Sequence, residues 1–218
     1  MPRPYRIHTL GHSTREFDEV VRMLRAHDVT LLADVRRFPS SRKHPQWNQE
    51  AVAEALPPGI GYRWLPRLGG RRHTPKGVPS ENGAWRVKAF RDYADYMAGE
   101  EFAEGLAELL DLAARERVAL MCSEAVPWRC HRRLVTDALL VAGAEVEHIL
   151  SRLGPPGHAQ RTRPRRARPP HLPATPGTVM TWVDEVREAV LTIPAASSPR
   201  TARSAATSGW ARARSAVP

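Results

Sequence analysis

Two uninterrupted apolar runs that end in charge, VTLLADVR at 29–36 and RVALMCSE at 117–124, constrain this chain more than any other feature. A run of that length with no polar alternation suits a strand buried on both faces, and such strands occur in parallel sheets sandwiched between helices. Amphipathic helical patterns lie between the strand candidates. EFDEVVRMLRAHD repeats Phe17, Val20, Val21 and Leu24 at helical spacing after IHTLGHS, whose alternation stops at Gly11. Ser13 or Thr14 is expected to cap that helix.

Further on, NQEAVAEALPPG reads as a short helix and IGYRWLPRLGG as a strand. The loop RRHTPKGVPSENGA follows, then a long helical region over 85–116 broken near Gly99. The last ordered unit reads as strand, AVPW loop, the helix RCHRRLVTDALLVAGA ended by Gly143, and a final strand EVEHILS. The expectation is therefore an α/β domain over 1–151, with a Rossmann-like, mainly parallel sheet covered by helices on both faces.

Charge is unevenly placed. Of the formal net charge of +10, residues 151–218 carry +8, with 11 Arg against Asp184, Glu185 and Glu188, and they also hold 10 of the 20 prolines. Such a composition cannot bury a core, so 152–218 is expected to be a largely disordered tail with one short helix at 179–193. A solvated, inert extension is the first expectation for this tail and weak, electrostatic nucleic-acid binding the alternative, and a basic folded surface is not implied. No stretch approaches the roughly 18 apolar residues of a membrane helix, and no signal-peptide core is visible. A cytoplasmic protein without a membrane partner is expected, with Cys122 and Cys130 reduced.

In open parallel sheets ligands bind beyond the carboxyl ends of the strands. Four such ends are polar here. They supply Gly11, His12 and Ser13; Asp34, Arg36 and Arg37; Arg67, Gly69, Gly70 and Arg71; and Cys122, Ser123 and Glu124, followed by Cys130, His131 and Arg132. Arg36 and Arg132 are expected to hold an anion, with Ser13, Arg67, Gly69, Gly70, Arg71 and Cys130 completing the binding set. Glu124 or Asp34 would act as general base and His12 or His131 as proton donor, while Cys122, two residues before Glu124, offers a nucleophile. Asp34 has a blander reading, an ion pair with Arg36 that pins the sheet end. Cys130, placed at a helix N-terminus beside His131, is expected to have the lower thiol pKa of the two cysteines.

No GxGxxG and no Walker loop is present, so classical dinucleotide binding and P-loop hydrolysis are not expected. No cofactor is expected. Cys122, Cys130, His131 and His12 are metal-capable, but no CxxC or HExxH spacing joins them, and no metal is expected either. The leading expectation is a hydrolase or transferase acting on an anionic, phosphate-bearing small molecule, nucleotide or nucleic acid. A non-catalytic anion-sensing or nucleic-acid-binding module and a thiol redox protein are the alternatives.

TLGHST at 9–14, LLADVRRFPSSR at 31–42, LPRLGGRR at 65–72, FRDYADYM at 90–97 and MCSEAVPWRCHRRLVTDALL at 121–140 together resemble the domain of unknown function 488 family. The resemblance covers about 150 residues. It implies a compact α/β domain of the bacterial or archaeal cytoplasm, with Gly-His-Ser, Asp-Val-Arg, Leu-Gly-Gly and Cys-His-Arg as signatures and no assigned activity. After residue 152 the chain departs from the family pattern.

Overall fold

A computed structural model describes residues 5–75, 77–150 and 160–162. Six strands form one sheet: β1 (Arg6–Gly11), β2 (Leu31–Asp34), β3 (Gly61–Trp64), β4 (Val118–Cys122), β5 (Glu145–His148) and β6 (Gln160–Thr162), in the order β3-β2-β4-β1-β5-β6. Strands β1 to β5 pair in parallel, and β6 joins β5 antiparallel. The α/β class and the parallel sheet expected from the apolar runs are what the chain forms. The sheet also continues past residue 151 into β6. The helix expected at 179–193, with most of the tail, lies outside the described residues.

Helices cover both faces, and the strand period decides which residues meet which helix. Leu10, Leu32, Ala119 and Met121 point to one side, where α1 (Phe17–Ala26) buries Val20, Met23 and Leu24, and α2 (Gln49–Ala55) buries Val52. Their neighbours Ile7, Leu31, Ala33, Val118, Leu120 and Cys122 point to the other side, under α3 (Lys88–Tyr96), α4 (Glu100–Arg115) and α5 (Arg132–Val141). The long helical region breaks at Gly99, which starts α4 ahead of Glu100 and Glu101, acids that suit a helix N-terminus. Gly143 (φ 88°) takes the left-handed conformation that ends α5, as its position after the apolar repeat indicates.

The caps differ from expectation. Neither Ser13 nor Thr14 caps α1; Glu16 precedes it without a side-chain bond. Ser13 is drawn away because its N–H bonds Ser123 O at 3.0 Å and its φ is 51°. This close seam between the ends of β1 and β4 is what builds the site. No described helix is long and apolar enough to cross a membrane.

Candidate active site

The register aligns the carboxyl ends of the four strands that matter: Gly11 sits opposite Cys122, and Asp34 opposite both Met121 and Trp64. Beyond Gly11 the backbones stay paired, with His12 N–H bonding Cys122 O at 2.9 Å. Only glycine permits this, since a β-carbon at Gly11 would stand 1.7 Å from Glu124 O. Gly69 and Gly70, expected to bring backbone close to an anion, are also used for packing. A β-carbon at Gly69 would meet the Arg37 backbone at 2.7 Å, and one at Gly70 would meet His131 Nδ1 at 2.8 Å.

Asp34 is fully buried, and its carboxylate is saturated. It accepts from Arg36 Nε at 2.9 and 3.0 Å, from Arg36 Nη2, from the Arg36 N–H at 3.0 Å and from Tyr62 Oη at 2.8 Å. With no lone pair directed at the crevice, Asp34 is a pin for Arg36 rather than a general base, the blander of its two readings. Arg36 in turn donates from Nη1 to Trp47 O at 2.7 Å. This fixes a buried cation two residues beyond the end of β2.

His12 stacks on Trp47, ring centroids 4.3 Å apart. Its Nδ1 donates to Ser13 O at 3.0 Å, so the lone pair is on Nε2, 3.4 Å from Arg36 Nη1. Burial, and then the Arg36 charge, lowers its pKa to about 4. At neutral pH His12 therefore has no proton to donate from Nε2, which departs from the proton-donor role expected for it.

Cys122, Cys130 and His131 meet at the centre. Their Sγ, Sγ and Nδ1 atoms all lie within 4.8 Å of one another. His131 Nε2 lies 3.1 Å from Val35 O, an atom that can only accept, so Nε2 carries the hydrogen and Nδ1 faces the sulfurs. Nδ1 is 3.6 Å from Cys130 Sγ and 3.9 Å from Cys122 Sγ. The neighbouring Cys130 thiol, and after it His131 and the Glu124 backbone, hold the Cys122 thiol well below the usual range in spite of burial. Cys130, facing that sulfur and buried, is pushed up.

This reverses the expected order of the two thiols. Helix α5 begins at Arg132, after Cys130, and the Cys130 and Arg132 N–H groups are already spent on Pro127 O and on Cys130 Sγ. The helix N-terminus therefore presents neither amide to an anion.

Two arginines stand elsewhere than expected. Arg132 is fully buried; it donates to Glu124 O and Thr9 Oγ1, and Thr9 Oγ1 lies 2.8 Å from His148 Nδ1. It ties the loop after β4 to β1 and offers no face to a ligand. Arg67 is exposed and pairs with Glu104 and Glu108 on α4. Arg71 is exposed with φ 57°, its carbonyl taking Arg37 Nη1 at 3.2 Å, and the Glu124 side chain is exposed beside the crevice.

Sequence reasoning missed three contributors: the Val35 carbonyl, Tyr62, and Tyr93, whose ring packs 5.2 Å from His131 while its hydroxyl holds Leu68 O at 2.7 Å. A backbone acceptor carries no residue signal. Tyr62 was visible only as an alternating position of β3.

Residues 16–139 match the family model described as Domain of unknown function DUF488. No curated protein and no solved structure matches the chain.

Proposed function

The chain belongs to the DUF488 family, and from that membership, which assigns no activity, we propose that it is a hydrolase or transferase in which the Cys122 thiolate attacks an anionic, phosphate-bearing substrate. The observation that carries this reading is the His131 ring, locked by Val35 O at 3.1 Å with Nδ1 turned to the two sulfurs. A base whose tautomer is fixed by a third group is the arrangement that activates a nucleophile. Arg36 and His12 lie within electrostatic reach of Cys122, and Arg36 brings a permanent charge that Asp34 holds in place.

The chemistry divides into two steps. His131 Nδ1 holds the proton released by the thiol, the sulfur forms a bond to phosphorus, and the bond to the leaving oxygen breaks as that oxygen takes the proton. Water, or an acceptor hydroxyl, then gives a proton to His131 and attacks phosphorus, and the sulfur leaves as thiolate. Arg36 offsets the charge of the incoming anion. Exposed Arg71 and Arg129 on the surrounding loops add attraction at longer range. The reducing cytoplasm suits two free thiols at such a site.

The test is turnover of p-nitrophenyl phosphate and a panel of nucleoside phosphates by reduced, metal-free protein. Cys122→Ser should lose at least about 10³-fold in rate, and acid-quenched wild-type protein should carry a phosphoryl group on Cys122 by mass spectrometry. Wild-type rates in the Cys122→Ser variant would refute the assignment.

A further inference from the structure

The two nitrogen–sulfur separations at His131 approach those of a metal-binding tetrahedron. Zinc bonds of about 2.3 Å to sulfur and about 2.0–2.1 Å to nitrogen at tetrahedral angles place sulfur and nitrogen about 3.6 Å apart. His131 Nδ1 is 3.6 Å from Cys130 Sγ and 3.9 Å from Cys122 Sγ, and all three donors fall within 4.8 Å of one another. The donors are held from behind as well. His131 gives its Nε2 hydrogen to Val35 O, the outer contact that metal-ligating histidines use to fix the ring. Gly70 leaves Nδ1 unobstructed where any side chain would press on it.

We propose that Cys122, Cys130 and His131 bind a thiophilic divalent cation of the zinc class, with a fourth position open to water, and that this ion reversibly silences the enzyme by occupying Cys122. Two thiolates and a neutral imidazole suit zinc and cobalt and are poor ligands for magnesium or calcium. Binding displaces to solvent the Cys130 proton and the proton shared by Cys122 and His131, and forms two metal–sulfur bonds and one metal–nitrogen bond, with no change of oxidation state. The binding half stands on the donor geometry alone. The silencing half rests on the reading of Cys122 as nucleophile, because the ion draws charge from the sulfur bonded to it and stands in the way of phosphorus.

Titration of the reduced full-length chain with Co²⁺ separates the two halves. The expected result is a site of about 1:1 stoichiometry, with the intense visible bands of tetrahedral cobalt and near-ultraviolet sulfur-to-cobalt charge transfer, both abolished by Zn²⁺. Cys130→Ser should cut the charge transfer by about half and weaken binding more than about 100-fold, beyond the loss expected for an outer contact. His131→Asn should weaken it comparably while keeping both thiolate bands at saturating cobalt. Pale octahedral spectra from the folded wild type, or wild-type affinity in Cys130→Ser, would overturn the site. Zinc should also abolish p-nitrophenyl phosphate turnover at one equivalent, with recovery on chelation. Zinc that displaces cobalt at one equivalent yet leaves or raises turnover would overturn the silencing. A Cys122→Ser variant that loses the spectrum but keeps turnover would remove the nucleophile and leave the metal site standing.

Discussion

A β-carbon on Gly70 would stand 2.8 Å from His131 Nδ1, and His131 has nowhere to retreat. Its Nε2 holds Val35 O, and the Tyr93 ring packs against its own. Gly70→Ala must therefore tilt the imidazole off the sulfurs. The expected cost is about 1–3 kcal/mol, the range for an overpacked site. Cys122 should alkylate several-fold more slowly in the folded variant. Urea unfolding and iodoacetamide kinetics on the same preparation check both halves.

Removing the charge of Asp34 strands Arg36. The pair is buried at 0% and 8% side-chain exposure, so Asp34→Asn leaves a guanidinium with little access to water. A loss of about 3–5 kcal/mol is expected, since breaking a buried pair costs far more than the pair contributes. Tyr62→Phe deletes one donor to the same carboxylate and should cost only about 1 kcal/mol. A lowered urea midpoint with unchanged slope is the signature in both variants.

Acid should destabilise the fold through buried histidines remote from the thiols. Burial lowers His8 and His148 from the ordinary 6.5 to about 4, so both are neutral in the folded chain, His8 even with Glu147 at 3.6 Å. Below pH 6.5 the unfolded chain binds protons that the folded chain refuses. Stability is therefore full above about pH 6.5 and lost as pH falls towards 4. Each ring should contribute a loss of about 2 kcal/mol between pH 7.5 and pH 5. Unfolding free energies measured across that window should fall with decreasing pH, and the fall should be shallower in His8→Asn.

The sheet was legible because its central strands are apolar throughout. Leu31–Asp34 and Val118–Cys122 have no polar face to be misread, and Gly99 and Gly143 mark helix ends where the apolar period stops. Strand β6 was not legible, because Gln160–Thr162 is polar and lies among the arginines and prolines that argued for a tail. At the site, the Asp34 to Arg36 pair is local and could be read from a spacing of two. The meeting of Cys122 with Cys130 depends on how the Pro127–Arg129 turn folds the loop back, which no spacing rule encodes. Glycine was an ambiguous signal. Gly69 and Gly70 look like an anion-binding loop and are also the places where Arg37 and His131 come too close for any side chain.

The account depends on which sulfur is the thiolate. The helix-terminus argument points to Cys130, whereas the electrostatic surroundings, with the neighbouring thiol as the largest influence, lower Cys122 and raise Cys130. Both thiols are nearly inaccessible, at 5% and 3% exposure, so access does not set the order. Iodoacetamide labelling of reduced, chelator-treated native protein at pH 7, read site by site by mass spectrometry, should modify Cys122 at least about 10-fold faster than Cys130, with the difference lost in urea. Faster labelling of Cys130, or equal slow labelling of both in the native state, would contradict the assignment of Cys122 as the nucleophile.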